Sequence, residues 1–157
     1  MSVTISFMKK DQKDLWLPKM FDLLYENMQA IVPNDMPYLQ QKTLFLSEVS
    51  PALEKAPRQV ILCVQRDTLV GFAQYYTRGD LLVIEEIQLR KEFQGTLTFC
   101  RLCRFLAASL PEEIAFLEAY THKSNSCSQK LLQKLELTPL DEGEFLHFRG
   151  SSQKAKQ

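Results

Sequence analysis

Two adjacent carboxylates, Glu85 and Glu86, stand inside an otherwise apolar run, Leu81 to Leu89 (LLVIEEIQL), and a third, Glu118, stands in Phe116-Leu-Glu-Ala-Tyr120. A carboxylate beside a reacting group can take its proton, and a phenol such as Tyr120 can return one. Directly after the first run comes Leu89 to Phe99 (LRKEFQGTLTF), which joins an apolar strand pattern to an apolar helix pattern. At such a junction backbone N–H groups and the helix dipole converge on a spot that receives phosphate. Gly95 allows close backbone approach and positive φ there, and Thr96 or Thr98 can cap the helix. Arg90, Lys91, Arg101 and Arg104 flank the junction against one acid, Glu92. They suit charge-assisted phosphate contacts or, for Arg101 and Arg104 three residues apart, a solvated helix face.

The thiols give less. Cys100 and Cys103 form a C-x-x-C within a helix pattern, and Cys63 and Cys127 lie elsewhere. Structural zinc needs four well-spaced ligands, and no second pair has that spacing, so the thiols read as small hydrophobes and no metal site is expected. Neither His122 nor His147 has an adjacent Ser or Cys, so no nucleophilic triad is expected.

Elements must position these groups. Val3 to Phe7 alternates as a half-buried strand. A helix from about Asp14 to Met28 carries Leu15, Met20, Leu23, Leu24 and Met28 at helical spacing. A second helix is predicted from about Tyr38 to Val49, with Leu39, Leu44 and Leu46 as its apolar side and Pro51 beyond its end. Gln59–Gln65 and Leu69–Thr77 read as a hairpin, and Leu81–Leu89 as a third strand. A helix from about Thr96 to Leu110 follows, then a strand Ile114–Tyr120, a helix Ser124–Leu135, a turn at Asp141-Glu142-Gly143 and a strand Glu144–Arg149. Residues 1–149 are thus one domain and 150–157 a polar, flexible tail. The order predicts a mixed, mostly antiparallel α/β sheet with helices on both faces and a right-handed parallel crossover late in the chain. Strand alternation puts Glu85 on the face of Ile87 and Leu89, and Glu86 on the other face with Gln88.

That order, with Leu89 at a strand end, the aromatic Phe93 and Gln94-Gly95, resembles the GNAT superfamily of acetyl-CoA-dependent N-acyltransferases. The resemblance implies a GNAT acyltransferase fold, an acetyl-CoA (coenzyme A) site, and direct acetyl transfer to an amine of a small molecule or a protein. It implies cofactor contacts from Ile87, Leu89, Gln94, Gly95, Thr96, Leu97, Thr98 and Phe99. Leu97 and Phe99 stand where the family carries small residues. Asn125 matches an asparagine that contacts the pantetheine arm in relatives, and Lys134-Leu135 matches the family's Lys-Leu. The preceding tyrosine, which reprotonates the departing thiolate in relatives, is Leu132 here, and Tyr120 is the nearest replacement. For the base the resemblance favours Glu85, with Glu118 and Glu86 as alternatives. A second reading keeps the same fold as a non-catalytic module that binds a protein partner or an acyl-CoA.

With 157 residues, 45% hydrophobic, 24% charged and no net charge, the composition is that of a globular domain and makes no case for nucleic acid or a membrane surface. No run approaches the roughly 20 apolar residues of a membrane span, and Met1 to Phe7 lacks the order of a signal peptide. Reduced thiols in a cytoplasmic protein are expected. A homodimer is left open.

Overall fold

The computed structural model describes residues 2–55, 58–122, 129, 132, 133, 138, 139 and 145–151. The alternating N-terminal segment is β1 (Thr4–Phe7). It leads through a 3₁₀ turn, Lys10–Gln12, into α1 (Lys13–Ile31), which buries Trp16, Leu17, Met20, Phe21 and Leu23. Leu15, expected on the apolar side, is 53% exposed, because the stripe runs through 16, 20 and 23 instead.

Helix α2 (Tyr38–Lys55) runs through Pro51 rather than stopping before it. A mid-helix proline strips one carbonyl of its partner. Here that carbonyl belongs to exposed Ser47 on a helix with no buried residue, so water can reach it. Leu46, Val49 and Leu53 pack inward, whereas Leu39 and Leu44 face solvent, contrary to the sequence expectation. Rings of Phe21, Tyr25, Tyr38 and Phe45, with centroids 5.1–5.8 Å apart, tie the two helices together.

Next come β2 (Gln59–Gln65), β3 (Thr68–Arg78) and β4 (Leu81–Leu89), an antiparallel meander. Arg66 and Asp67 both take positive φ, 49° and 61°, as a type I′ hairpin requires. After β4, α3 (Leu97–Ala108) crosses to β5 (Phe116–His122), which pairs parallel with β4. A two-residue strand, β6 (Thr138–Pro139), and β7 (Phe145–Ser151) complete the sheet in the order β1-β2-β3-β4-β5-β7-β6. Gly150 and Ser151 belong to β7, opposite Leu117 and Phe116, so the sheet takes two residues assigned to the tail.

Apolar residues pack on both faces of the sheet. On one, Leu102 and Leu106 of α3 meet Ile61, Cys63, Ala73, Tyr75, Leu82, Leu117 and Phe148. On the other, Trp16, Leu17, Met20 and Leu23 of α1 meet Val60, Leu62, Leu69 and Phe72. Strand alternation supplies the two sets from the same strands. Gly71 sits where β3 and β4 come closest: a Cβ there would strike Leu89 Cδ2 and crowd the Gln88 carbonyl oxygen at 3.0 Å. Among the described residues, no helix is long and apolar enough to cross a membrane.

Candidate active site

Strand β4 changes character at Glu85. Its first residues, Leu81–Ile84, register with Phe116–Ala119 of β5, and beyond that β4 has no partner on this side among the described residues. On the other side Gln74 registers with Glu86 and Tyr75 with Ile84, so Glu85 is the extra residue of a β-bulge. The sheet therefore parts at the carboxylates, between two strands that are joined through the preceding residue, Ile84.

The bulge removes Glu85 from the face of Ile87 and Leu89, where alternation had put it. Its Oε1 accepts from Arg58 Nε at 2.7 Å and from Gln74 Nε2 at 3.3 Å. Arg58 in turn lies over the Tyr76 ring, 5.1 Å from its centroid, with Arg78 5.8 Å from the same ring. Glu85 is thus committed to a cation.

Glu86 has a different environment. It accepts a hydrogen bond from Gln88 Nε2, and Asn27 Nδ2 of α1 donates to Gln88 Oε1 at 2.9 Å. No cation pairs with it among the described residues. Burial, opposed by the Gln88 bond and reinforced by the neighbouring Glu85 charge, pushes its carboxyl up to about 7. A carboxylate with that pKa is half-protonated at neutral pH and suits proton transfer. Sequence reasoning missed Asn27. It falls on the buried stripe of α1, following Trp16, Met20 and Leu23 at helical spacing, and a polar residue in such a stripe is the signal that could have found it.

Glu118 registers with Val83 on one side and Arg149 on the other, and its Oε1 lies 3.7 Å from Arg149 Nε. Tyr120, two residues on along the same face, is half-exposed. It lies past the last β4–β5 pair, on β5 where the strands have parted. The structure therefore brings Glu85, Glu86, Glu118 and Tyr120 to one region of the sheet around the parting.

At the foot of β4 the loop is a 3₁₀ turn, Lys91–Phe93, followed by Gly95 with φ of +72°. No atom lies within 4 Å of a Cβ built on Gly95, so its conformation, not crowding, requires glycine. Thr96 caps α3: its Oγ1 accepts from Thr98 N at 3.4 Å and donates to the Phe93 carbonyl at 2.6 Å. Leu97, 78% exposed, turns its side chain to solvent, while Thr98 is buried and Phe99 half-buried. The N–H groups of Leu97 and Phe99 have no partner among the described residues, so the loop keeps donors for an anion despite its bulky side chains. Leu89 is buried and its carbonyl accepts from both Asn27 Nδ2 (2.9 Å) and Gln94 Nε2 (3.0 Å). Ile87 packs into the α3-side core.

The flanking cations do not converge on the parting. Arg90 donates through Nε to the Leu69 carbonyl at 2.9 Å. Arg101 and Arg104 line an open depression with Ile5 and Phe105 on the β1 side of α3. Asn125, Cys127, Lys134-Leu135 and the Asp141–Gly143 turn lie outside the described residues. Leu132 packs against the α3-side core and supplies no proton donor. Burial raises the thiols of Cys63 and Cys103 to about 11, so both are protonated at neutral pH. Among the described residues no group of three or more His, Cys, Asp or Glu side chains is arranged to hold a metal ion.

No family model and no curated protein matches this sequence. Solved structures do resemble the fold. PaiA N-acetyltransferase from Thermoplasma acidophilum, in complex with coenzyme A, superposes with a TM-score of 0.74 at 14% identity, covering 96% of this chain and 99% of that one. An acetyltransferase of the GNAT family from Staphylococcus aureus gives 0.72 at 9% identity, covering 96% and 99%. The N-acetyltransferase PseH from Campylobacter jejuni, in complex with acetyl coenzyme A, gives 0.61 at 14% identity, covering 94% and 99%. The chain has the GNAT acyltransferase fold.

Proposed function

We propose that this GNAT-fold protein transfers an acetyl group from acetyl coenzyme A to an amine of a small molecule or a protein, with Glu86 as the base. The observation that carries this reading is the place where β4 and β5 part, at which the Glu86 carboxyl, held by Gln88 and with no cation paired to it among the described residues, is pushed by burial up to about 7. The coenzyme A complexes of two proteins with this fold support it. The family resemblance favours Glu85, but Glu85 is tied to Arg58, whereas Glu86 is held by the Gln88 amide and can exchange a proton.

In this reading the amine nitrogen attacks the thioester carbonyl carbon and its proton passes to Glu86. The unpaired edge of β4 offers backbone N–H groups to the developing oxyanion. The carbon–sulfur bond then breaks, and the thiolate takes a proton from Tyr120 or from water. The unpaired N–H groups of Leu97 and Phe99 receive the pyrophosphate, with Thr96 yielding its cap, and Gln94, Gly95 and Thr98 shape the loop. Glu118 orients the acceptor, and the family resemblance assigns the pantetheine arm to Asn125.

A second reading, a non-catalytic module of the same fold, is favoured by two observations. Thr96 already fills the start of α3, and Leu132 replaces a proton donor.

Thermal denaturation with coenzyme A and acetyl-CoA tests both. A ligand at 100 times its Kd stabilises the fold by about 2.7 kcal/mol. That corresponds to a rise of roughly 5–10 °C in Tm for a domain of this size. No shift at millimolar ligand would overturn the transferase reading. With binding established, Glu86→Gln should lower kcat about 10²- to 10⁴-fold and abolish a rate increase through about pH 7. Binding with no turnover on any amine selects the module.

A further inference from the structure

Among the described residues strand β1 is one end of the seven-stranded sheet, and its outer row of backbone N–H and C=O groups has no sheet partner there. Such an edge is a template for another strand. Proteins commonly blunt it with charge on the strand, but Thr4-Ile-Ser-Phe7 carries none. Above it on the α3 side lies the depression of about 320 Å³ lined by Ile5, Phe105, Arg101 and Arg104. The Phe7 ring, 37% exposed, meets Phe105 with centroids 5.1 Å apart. Both arginines are exposed and have no ion-pair partner among the described residues. Glu92 lines only the adjoining depression, near Arg101.

We infer that the β1 edge is a docking site for an extended acidic peptide segment, which adds to the sheet as a strand beside β1. Its backbone would satisfy the free edge. Side chains on its α3 face would alternate over Ile5 and Phe105, and their carboxylates would meet Arg101 and Arg104. Charge selects this occupant. A second copy of the chain would bring an uncharged strand and its own arginines, so like charges would face each other. The chain's own last residues, Ser151-Ser-Gln-Lys-Ala-Lys-Gln157, carry lysines and no acid. The β1 edge lies three strands from the parting of β4 and β5, whereas Arg101 also lines the adjoining depression with Thr96, Leu97 and Thr98.

The test uses the full-length chain and a fluorescein-labelled peptide that alternates Glu and Val. Anisotropy should report saturable binding that Arg101→Glu/Arg104→Glu weakens by about tenfold or more, without a change in thermal midpoint. In an added strand only alternate residues turn their N–H groups toward the neighbour. Methylating the amide nitrogens of all Val residues, or of all Glu residues, should therefore abolish binding in one peptide and spare it in the other. Equal binding by the two methylated peptides would overturn strand addition, and so would undiminished binding by the double variant. Displacement of the peptide by coenzyme A would assign the arginines to that ligand and overturn the inference as well.

Discussion

Strand β4 contains two halves that differ in almost every respect. Leu81–Ile84 is held between β3 and β5, and apart from the chain's turn into it carries only apolar side chains. Among the described residues Glu85–Leu89 has β3 alone as its strand neighbour, and there two carboxylates and a glutamine interrupt the apolar pattern. In the closed half, neighbours on both sides satisfy the backbone and side chains need only pack. In the open half, one edge of the backbone is left for something else, and side-chain amides from α1 and the loop take over its support. A single inserted residue, Glu85, separates the two regimes. The fold thus obtains an open edge without shortening the strand.

The largest effect expected from breaking this contrast is on Glu86. Its folded pKa, about 7, lies above the ordinary value of 4.5, so the native state binds the proton more tightly than the unfolded chain does. That stabilisation is complete below about pH 4.5 and is lost as the pH rises through about 7. Glu86→Gln should therefore be near neutral for stability at pH 4.5 and stabilise by up to about 3 kcal/mol at pH 8. Denaturant titrations at the two pH values measure it, and an equal effect at both would show the site to be solvated.

Next in size is the support of the open half from across the core. Asn27→Ala removes donors to Gln88 Oε1 and to the Leu89 carbonyl, and should cost about 1–3 kcal/mol. By freeing Gln88 it should also move the upper-pH dependence of the Glu86 variant comparison, which an isolated packing defect would leave in place. Smallest is Glu85→Gln. The Arg58–Glu85 pair is about one quarter exposed at each side chain, and such a pair contributes about 1 kcal/mol or less. A loss larger than that of Asn27→Ala would reverse the ranking of the two glutamates.

The closed half was legible in the sequence and the open half was not. Gln59–Gln65 and Leu81–Leu89 are bounded by turn residues and filled with apolar side chains, and both ends of each strand agree with the structure. The bulge has no signature in a single strand, because it exists only in the register between β3 and β4. Alternation therefore assigned Glu85 to the wrong face. Pro51 misled for a related reason: a local rule about a missing N–H takes no account of whether water can reach the orphaned carbonyl. Asn27 and Gln88 are 61 residues apart, so no local pattern connects them. Arg101 and Arg104 could be placed on one helix face from their spacing, but which strand lies beneath that face depends on the crossover.

The four parallel pairs between β4 and β5 also dictate an order of assembly. The meander from β2 to β4 closes through tight turns, so its pairing costs little chain entropy. The seam must instead close a loop of about thirty-five residues, with α3 wound inside it, before its first pair forms. Pairing of that kind is slow. By the same measure β1 is costlier still to close, because its pairs with β2 run from Phe7↔Ile61 to Thr4↔Val64, so the hairpins form before either seam. The parting beside Glu86 then lies on the boundary between strands joined through tight turns and a strand that reaches the sheet across a long loop.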